Sequence, residues 1–268
     1  MKTFLLGTAA LLALAAPAAA ADMAPRTYAK AAPMVSPLYN WSGFYAGIHA
    51  GYTFGDRTGV DTTGQAPINV LNVLGGARPA SVGLDRDGFI GGGQIGYNWQ
   101  ASSPWVWGLE ADISYVDINS SRNVVTTPLS GIGALNNAFG TSMDYFGTVR
   151  GRVGYAWDRT MVYATGGFAY GQVENAAAFG GPAGQLQFVG SNRDTKTGYT
   201  VGGGVEHAWT GNWTVKAEYL YYDLGDTTVG VNVIPGSGGG GTGYNSSFSN
   251  DGHIVRAGLN YKLGGWGW

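Results

Sequence analysis

Residues 143–157 read Met-Asp-Tyr-Phe-Gly-Thr-Val-Arg-Gly-Arg-Val-Gly-Tyr-Ala-Trp, and their side chains alternate between two contrasting sets. The apolar and aromatic set is Tyr145, Gly147, Val149, Gly151, Val153, Tyr155 and Trp157. The other set is Asp144, Phe146, Thr148, Arg150, Arg152, Gly154 and Ala156. Because successive side chains on a pleated strand point to opposite faces, the alternation predicts a strand. About ten tilted residues cross a bilayer, and aromatic rings suit its two interfaces, so we expect a transmembrane strand.

The composition limits the class of protein to which the chain can belong. Its 268 residues include 47 Gly and only 12% Asp, Glu, Lys and Arg. That charged fraction is about half of what soluble domains usually carry. A formal net charge of −2 offers no basic surface for nucleic acid. The absence of Cys excludes disulfides, thiolate metal sites and Cys nucleophiles.

The ends of the chain differ from its middle. Residues 1–21 have a charged Lys2, an apolar core and a small-residue cleavage site, which predicts a signal peptide for the Sec pathway. Residues 22–40 contain three Pro and no periodicity, so we expect a flexible periplasmic leader. The alternating pattern defines a barrel over 41–263, and 264–268 form a Gly/Trp tail.

Seven further segments show the same alternation. The predicted strands are 41–54, 88–99, 104–116, 142–157, 160–173, 196–209, 212–223 and 252–263. Short connections lie at 100–103, 158–159 and 210–211, whereas the connections at 55–87, 117–141, 174–195 and 224–251 are long. The sequence therefore predicts an all-β fold, an eight-stranded antiparallel up-and-down transmembrane β-barrel with short periplasmic turns and long extracellular loops. Its last strand returns beside the first, so the sheet can close.

Alternation alone does not say which face is outside, since a soluble barrel would place its apolar face inward. The polar face carries only about one charge per strand among many Gly and Thr. A water-exposed surface would be roughly a quarter to a third charged. We therefore expect the apolar face to contact lipid and the polar face to line the lumen.

The polar face carries equal numbers of acids and bases. The predicted lumen ion-pair network comprises Glu110, Asp112, Arg150, Arg152, Glu206, Lys216, Glu218 and Arg256, joined by His49 and Gln94. An eight-stranded interior is filled by side chains, and buried charges are costly unless paired. We expect two clusters on opposite walls. One comprises Arg150 and Arg152 with Glu110 and Asp112, and the other comprises Lys216, Glu218, Glu206 and Arg256.

Three stretches carry a resemblance to a known family. They are Trp41-Ser-Gly-Phe-Tyr-Ala-Gly47, the strand ends of the form Gly-Tyr-x-Trp (Trp99 and Trp157), and Val255-Arg-Ala-Gly-Leu-Asn-Tyr-Lys-Leu263. The chain resembles the alphaproteobacterial outer-membrane "porin family" proteins, which include outer-membrane immunogenic and hemin-binding proteins and are similar to the OmpA-type eight-stranded membrane domain. The resemblance implies the Gram-negative cell outer membrane, lipid and lipopolysaccharide as surroundings, and the barrel-assembly machinery as a partner. It also implies surface roles in envelope integrity, host contact or heme binding.

The same resemblance implies an assembly signal in the last strand, of the form polar-x-Gly-x-x-aromatic-x-aromatic. Arg256, Gly258, Tyr261 and Leu263 occupy those places, with Leu where Phe is usual. Because the chain continues to residue 268, either Leu263 or Trp268 could end the signal.

The sequence predicts no catalytic site, no metal site and no cofactor, with heme binding left open. His49 and His253 fall on opposite faces by parity, which argues against a shared metal. The loop rim has carboxylates but no His–acid pair or Ser motif, so we expect no enzyme. Two functions stay open. One is a structural surface barrel with at most a narrow pore, and the other is a surface protein that binds heme or a host molecule through its long loops.

Overall fold

The computed structural model describes residues 39–55, 58–101 and 104–263. The predicted signal peptide, residues 22–38 of the leader and the tail lie outside these residues. Within the described ranges, no helix is long and apolar enough to cross a lipid bilayer. Tyr39, which we expected in the flexible leader, packs edge-on against Trp41 with ring centroids 4.9 Å apart.

Ten strands and one short helix form the described part of the chain. They are β1 (Gly43–Phe54), β2 (Thr58–Gly64), α1 (Pro67–Leu74), β3 (Ser81–Leu84), β4 (Gly88–Gln100), β5 (Trp105–Thr126), β6 (Leu135–Trp157), β7 (Thr160–Gly180), β8 (Leu186–Thr210), β9 (Trp213–Val233) and β10 (Gly243–Lys262).

Eight of the strands close into a ring. β1 and β4 to β10 pair antiparallel in chain order, and β10 returns to pair with β1. Tyr45 lies opposite Lys262 at one end of this seam, and Phe54 lies opposite His253 at the other. The predicted eight-stranded antiparallel barrel is confirmed.

Buried and exposed side chains alternate along the strands as the sequence predicts. On β6, Val149 is 52% exposed and its neighbour Arg150 is 1% exposed. Exposed aromatic side chains mark both ends of the barrel wall. Those towards the long connections are Tyr52, Phe89, Tyr115 and Tyr199, and those towards the short turns are Trp99, Trp107, Tyr155, Trp157, Trp209 and Trp213. The apolar face therefore forms a continuous outer band with the two aromatic girdles that a membrane barrel presents to lipid.

The strands are longer than the sequence predicts. β5 ends at Thr126, where we expected 116, and β8 begins at Leu186, where we expected 196. The predicted loop 117–141 shrinks to 127–134, and the predicted loop 55–87 contains β2, α1 and β3. Beyond the outer band no lipid requires an apolar face, so alternation fades although backbone pairing continues.

Past the girdle near the long connections, the ring separates into two facing sheets. β2 pairs with the start of β10, and β3 pairs with β2. In the described chain no ladder joins β3 to β5, and the ladder between β8 and β9 is interrupted. One sheet is therefore β3-β2-β10-β9, and the other is β8-β7-β6-β5.

Apolar side chains fill the space between these two sheets. This loop-side core comprises Val60, Val82, Leu84, Phe139, Ala177, Phe179, Phe188, Val229, Val231, Tyr244 and Phe248. Its residues come from both sheets, so burial of apolar surface joins the two sheets across the interruptions.

Candidate functional site: the barrel lumen

The lumen is filled by stacked layers of side chains. At the short-turn end, a turn-side core comprises Trp41, Val106, Ala156, Met161, Tyr163 and Ala208. A charged layer follows, then a middle apolar layer of Ile90, Val116, Ile118, Met143, Phe146, Ala169, Val173, Leu220, Tyr222, Leu224 and Ile254. The loop-side core lies beyond it. A cavity next to Trp41, lined in part by Tyr45 and Asn98, measures ≈ 10 Å³. One water needs roughly 10–15 Å³, so this cavity holds at most about one water.

The charged layer brings together all eight residues of the predicted network. Glu110 and Asp112 come from β5, Arg150 and Arg152 from β6, Glu206 from β8, Lys216 and Glu218 from β9, and Arg256 from β10. Their side chains are nearly inaccessible to solvent. Even-numbered residues on these strands share the inner face, which explains why they converge.

Arg150 links the two walls of the barrel. Its guanidinium lies 2.6 Å from Glu110 and 3.2 Å from Asp112, both on β5, and 3.0 Å from Glu218 on β9. Arg256 on β10 likewise lies 2.7 Å from Glu218 and 3.1 Å from Asp112. The prediction of two separate clusters is therefore wrong. In so narrow an interior, one arginine side chain reaches carboxylates on both walls.

The remaining bases extend the same network. The Lys216 ammonium lies 2.8 Å from Glu110. Arg152 lies 2.8 Å from Glu206 and 3.5 Å from Glu110. Its guanidinium also lies between the rings of Tyr45 and Tyr163, at 5.2 and 4.9 Å from their centroids. Every base thus contacts at least one carboxylate, as buried charges require.

Neutral polar groups that we did not predict complete the network. The Tyr45 hydroxyl donates to Glu110 at 2.7 Å, and the Tyr163 hydroxyl donates to Glu218 at 3.0 Å. Room for the Tyr45 ring comes from Gly96, where an added Cβ would lie 2.3 Å from the phenol oxygen. An inward Tyr beside a Gly on the next strand is the sequence signal that could have identified Tyr45.

The three His residues lie in different environments. His49 is in the lumen, 2.7 Å from Ser114 Oγ and 3.3 Å from Arg256 Nη1. His253 lies on the outer face, stacked on Phe54 at 5.5 Å. His207, at the short-turn end, contacts Thr160 Oγ1. Within the described residues, no group of three His, Asp or Glu side chains could hold a metal ion.

The comparison with known proteins identifies the family. Residues 6–262 match the family described as "Outer membrane protein beta-barrel domain". The chain belongs to this family. The "31 kDa outer-membrane immunogenic protein" of Brucella melitensis is 36% identical over 98% of this chain and 100% of that protein. The "22 kDa outer membrane protein" of Rhizobium leguminosarum is 31% identical over 70% of this chain and 67% of that protein.

These relatives confirm the predicted resemblance and the location in the cell outer membrane. The "25 kDa outer-membrane immunogenic protein" of Brucella canis is 28% identical over 85% of this chain and 91% of that protein. As an outer-membrane β-barrel, the protein places its short turns in the periplasm and its long connections outside the cell.

One residue at the extracellular end of this outer-membrane barrel was missed from the sequence. Arg78, in the connection between α1 and β3, is buried with its guanidinium over the rings of Phe179, Phe188 and Tyr244, at 5.2, 5.6 and 5.8 Å from their centroids. Its Nη1 donates to Asn137 Oδ1 at 2.9 Å. Burial lowers the pKa of the Arg78 guanidinium from its ordinary value. The contacts fix the connection inside the loop-side core, and no sequence periodicity marks such an isolated cation.

The four residues of the implied assembly signal divide between the two faces of β10. Arg256 belongs to the charged layer, and Gly258 faces Lys216 in the lumen. Tyr261 packs against Trp213 on the outer face at 4.9 Å, and the Leu263 N–H donates to Phe44 O at 2.9 Å. Two members of the signal therefore contact the lumen and two lie on the outer face near the periplasmic end.

Deleting residues 264–268 tests which residue ends the signal. We expect the truncated protein to insert nearly as well as the full chain, because Tyr261 and Leu263 remain on the outer face. The measurement is the heat-modifiable fraction in isolated outer membranes. Replacing Tyr261 with Ala in the full chain is the matched variant and should reduce insertion. Loss of insertion in the truncated protein would instead assign the signal to Trp266 and Trp268.

Proposed function

We propose that this outer-membrane barrel is a structural surface protein that supports the envelope and has at most a narrow pore. The observation that carries the proposal is the contact of Arg150 with Glu110 on one wall and Glu218 on the other. A side chain that crosses the lumen there leaves little space for a continuous water column. The turn-side core and the loop-side core add two further layers along the same axis.

Conductance in planar bilayers tests this proposal. The unmodified protein should show small or undetectable single-channel currents, because the charged layer and three apolar layers obstruct the path. Replacing both Arg150 and Arg152 with Ala should raise the conductance and weaken heat resistance. Large, stable openings of the unmodified protein, at the level of general porins, would contradict a filled lumen.

A second candidate is a binding protein that acts through its extracellular end. It is supported by exposed apolar side chains: Leu71 and Leu74 on α1, and Leu129 in the 127–134 connection. The Leu129 N–H donates to Gly75 O at 3.1 Å, so the two segments touch. Large contiguous patches of exposed apolar side chains often mark interaction sites. The partner would be heme or a host molecule.

Hemin titration compares the two candidates. The full protein and a variant with residues 66–76 replaced by a Gly/Ser linker should differ in hemin absorbance only if this end binds heme. His49 lies in the lumen, His253 on the outer face beside Phe54, and His207 at the short-turn end, so an axial ligand at α1 would have to come from another side chain. Equal spectra with both proteins would favour the structural role.

The proposal includes lipid and lipopolysaccharide around the outer band, insertion by the barrel-assembly machinery, and no enzymatic activity. The exposed carboxylate of Asp144, near the extracellular rim, is paired with Arg193 at 2.6 Å. It contacts no described His or Ser that would form an acid–base or nucleophile pair.

A further inference from the structure

Arg86 lies in the connection between β3 and β4, at the point where the extracellular sheets join the barrel wall. Its neighbours Asp85 and Asp87 are exposed, whereas Arg86 is 4% exposed. On the same inner face, Leu84 belongs to the loop-side core and Ile90 to the middle apolar layer. The Arg86 side chain therefore enters the lumen between two apolar layers.

This buried cation has no partner of opposite charge. Its guanidinium forms no ion pair and donates no hydrogen bond to any described residue, and its Nε is buried. Arg78, the other buried arginine at this end, donates to Asn137 and lies over three aromatic rings. Every base of the charged layer contacts a carboxylate. A buried charge without compensation is strongly destabilising, so Arg86 requires a counterion.

The acidic side chains beside Arg86 do not supply that counterion. Asp85 and Asp87 alternate with Arg86 along the chain and are exposed. Asp251 on β10 interacts electrostatically with Arg86, but it has the parity of His253, which lies on the outer face. Among the described residues, Asp251 forms no ion pair with Arg86.

Two hydroxyl groups lie in the same layer as Arg86. Thr53 on β1 is 1% exposed, and its Oγ1 has no hydrogen-bond partner in the described chain. Two residues later, a Cβ on Gly55 would lie 3.3 Å from Arg86 Cβ. The Tyr222 hydroxyl on β9 lies close to Thr53 and within electrostatic range of Arg86. A guanidinium has only donors and a hydroxyl can donate, so these groups together suit an anion.

Charge and space limit the class of anion. A monovalent ion neutralises Arg86, whereas a divalent ion would leave an excess negative charge between two apolar layers. Arg86, Thr53 and Tyr222 are 4%, 1% and 2% exposed, so the ion must be small and lose most of its hydration shell. A halide meets both conditions, and sulfate, phosphate and large organic acids do not.

We propose that Arg86, with the hydroxyls of Thr53 and Tyr222, binds a small monovalent anion, which is chloride from the medium outside the cell. The ion supplies the charge that the described chain lacks at this position. Because β3 belongs to an extracellular sheet and β4 to the barrel wall, the bound ion stabilises the junction between them. The middle apolar layer separates this site from the charged layer, so the site does not depend on whether the lumen conducts.

The chloride dependence of unfolding tests the site. The full barrel in lipid vesicles is unfolded with urea at constant pH and ionic strength, while sodium chloride replaces sodium gluconate. Gluconate is also monovalent but too large for a buried site. A ligand that binds only the folded state lowers the unfolding constant by a factor of 1 + [ligand]/Kd. Chloride at ten times its Kd should therefore lower that constant about tenfold, with saturation, and bromide should act in the same way.

Arg86→Gln makes the test specific to this residue. The substitution removes the charge and should abolish the chloride dependence. In gluconate the variant should resist urea at least as well as the unmodified protein, because no uncompensated charge is buried. In saturating chloride the order should reverse. Arg193→Ala is the matched control, since it removes the same charge from a side chain that is 53% exposed and should leave the chloride dependence unchanged.

Thr53→Val tests the hydroxyl. Val keeps the shape of Thr and loses the donor, so the Kd for chloride should rise about tenfold, the usual effect of one hydrogen bond to a charged group. Heat-modifiable mobility checks that each variant folds. If Arg86→Gln does not fold, Thr53→Val and the unmodified protein decide.

Three results would overturn the inference. They are equal unfolding of the unmodified barrel in chloride and gluconate, equal chloride dependence of the unmodified barrel and folded Arg86→Gln, or an unchanged Kd in folded Thr53→Val. The first would mean that water or Asp251 compensates Arg86, and the second that chloride acts elsewhere on the protein. None of them bears on the conductance test, so the anion site and the structural role can fail separately.

Discussion

Replacing Arg150 with Met is expected to lower the free energy of unfolding by about 3–5 kcal/mol, the usual cost of breaking a buried ion pair on one side. Met roughly fills the space of the arginine stem, so the loss of stability reflects the missing charge more than an empty cavity. Arg150 contacts Glu110, Asp112 and Glu218, and its removal leaves three bases among four acids. Urea unfolding in lipid vesicles, followed by electrophoretic mobility, measures the change.

Two further variants make this test specific. Adding Glu218→Gln to Arg150→Met restores equal numbers of acids and bases, so we expect part of the stability to return. Arg193→Ala is the matched control, because Arg193 pairs with Asp144 at 2.6 Å but its side chain is 53% exposed. Solvent screens such a pair, and its loss should cost at most about 1 kcal/mol. Equal losses for Arg150→Met and Arg193→Ala would mean that the lumen network contributes no more than a surface pair.

Replacing Phe179 with Ala is expected to destabilise the extracellular sheets by about 3–5 kcal/mol, as removal of a buried aromatic ring usually does. Phe179 is fully buried, with ring centroids 5.6 Å from Phe139 and 5.2 Å from Tyr244, and it lies beneath Arg78. The loss of stability should be confined to this end of the barrel, because Phe179 belongs to neither the charged layer nor the turn-side core. Hydrogen exchange of residues 174–189 should rise, and heat resistance of the barrel should remain.

The control for this change is Phe168→Ala, since Phe168 lies on the outer face and is 49% exposed. It removes the same ring from contact with lipid and leaves the loop-side core intact. Loss of heat resistance with Phe179→Ala equal to that of Arg150→Met would show that the extracellular sheets and the membrane barrel unfold as one unit.

The sequence predicted the parts of the fold that lipid constrains. Where one face meets hydrocarbon and the other the lumen, alternation assigns each residue to a face, as for Val149 and Arg150. Outside the membrane this constraint is absent, so the extended ends of β5 and β8 resembled loops. Helix α1 was missed because it is short and its apolar side chains are partly exposed.

The contacts within the charged layer could be predicted only in part. The alternation of side chains along each strand placed all eight residues on the inner face, but it does not give their heights along the barrel axis. Those heights depend on the stagger between neighbouring strands, which sets whether Arg150 reaches Glu218 across the lumen. The aromatic surroundings of Arg78 depend on how the connection after α1 folds back, which local sequence does not specify.

The pairing of β1 with β10 means that the barrel closes only after the chain has been exported. Residues 45 and 262 are partners in it, so the ring cannot close until residue 262 has been synthesised. Pairings between such distant residues form slowly, because the intervening chain must first be brought together at an entropic cost. During that interval the chain lies in water with Ile48, Phe89 and Trp157 uncovered, and incompletely paired strands of this kind aggregate. We therefore expect the chain to be prone to aggregation while it crosses the periplasm.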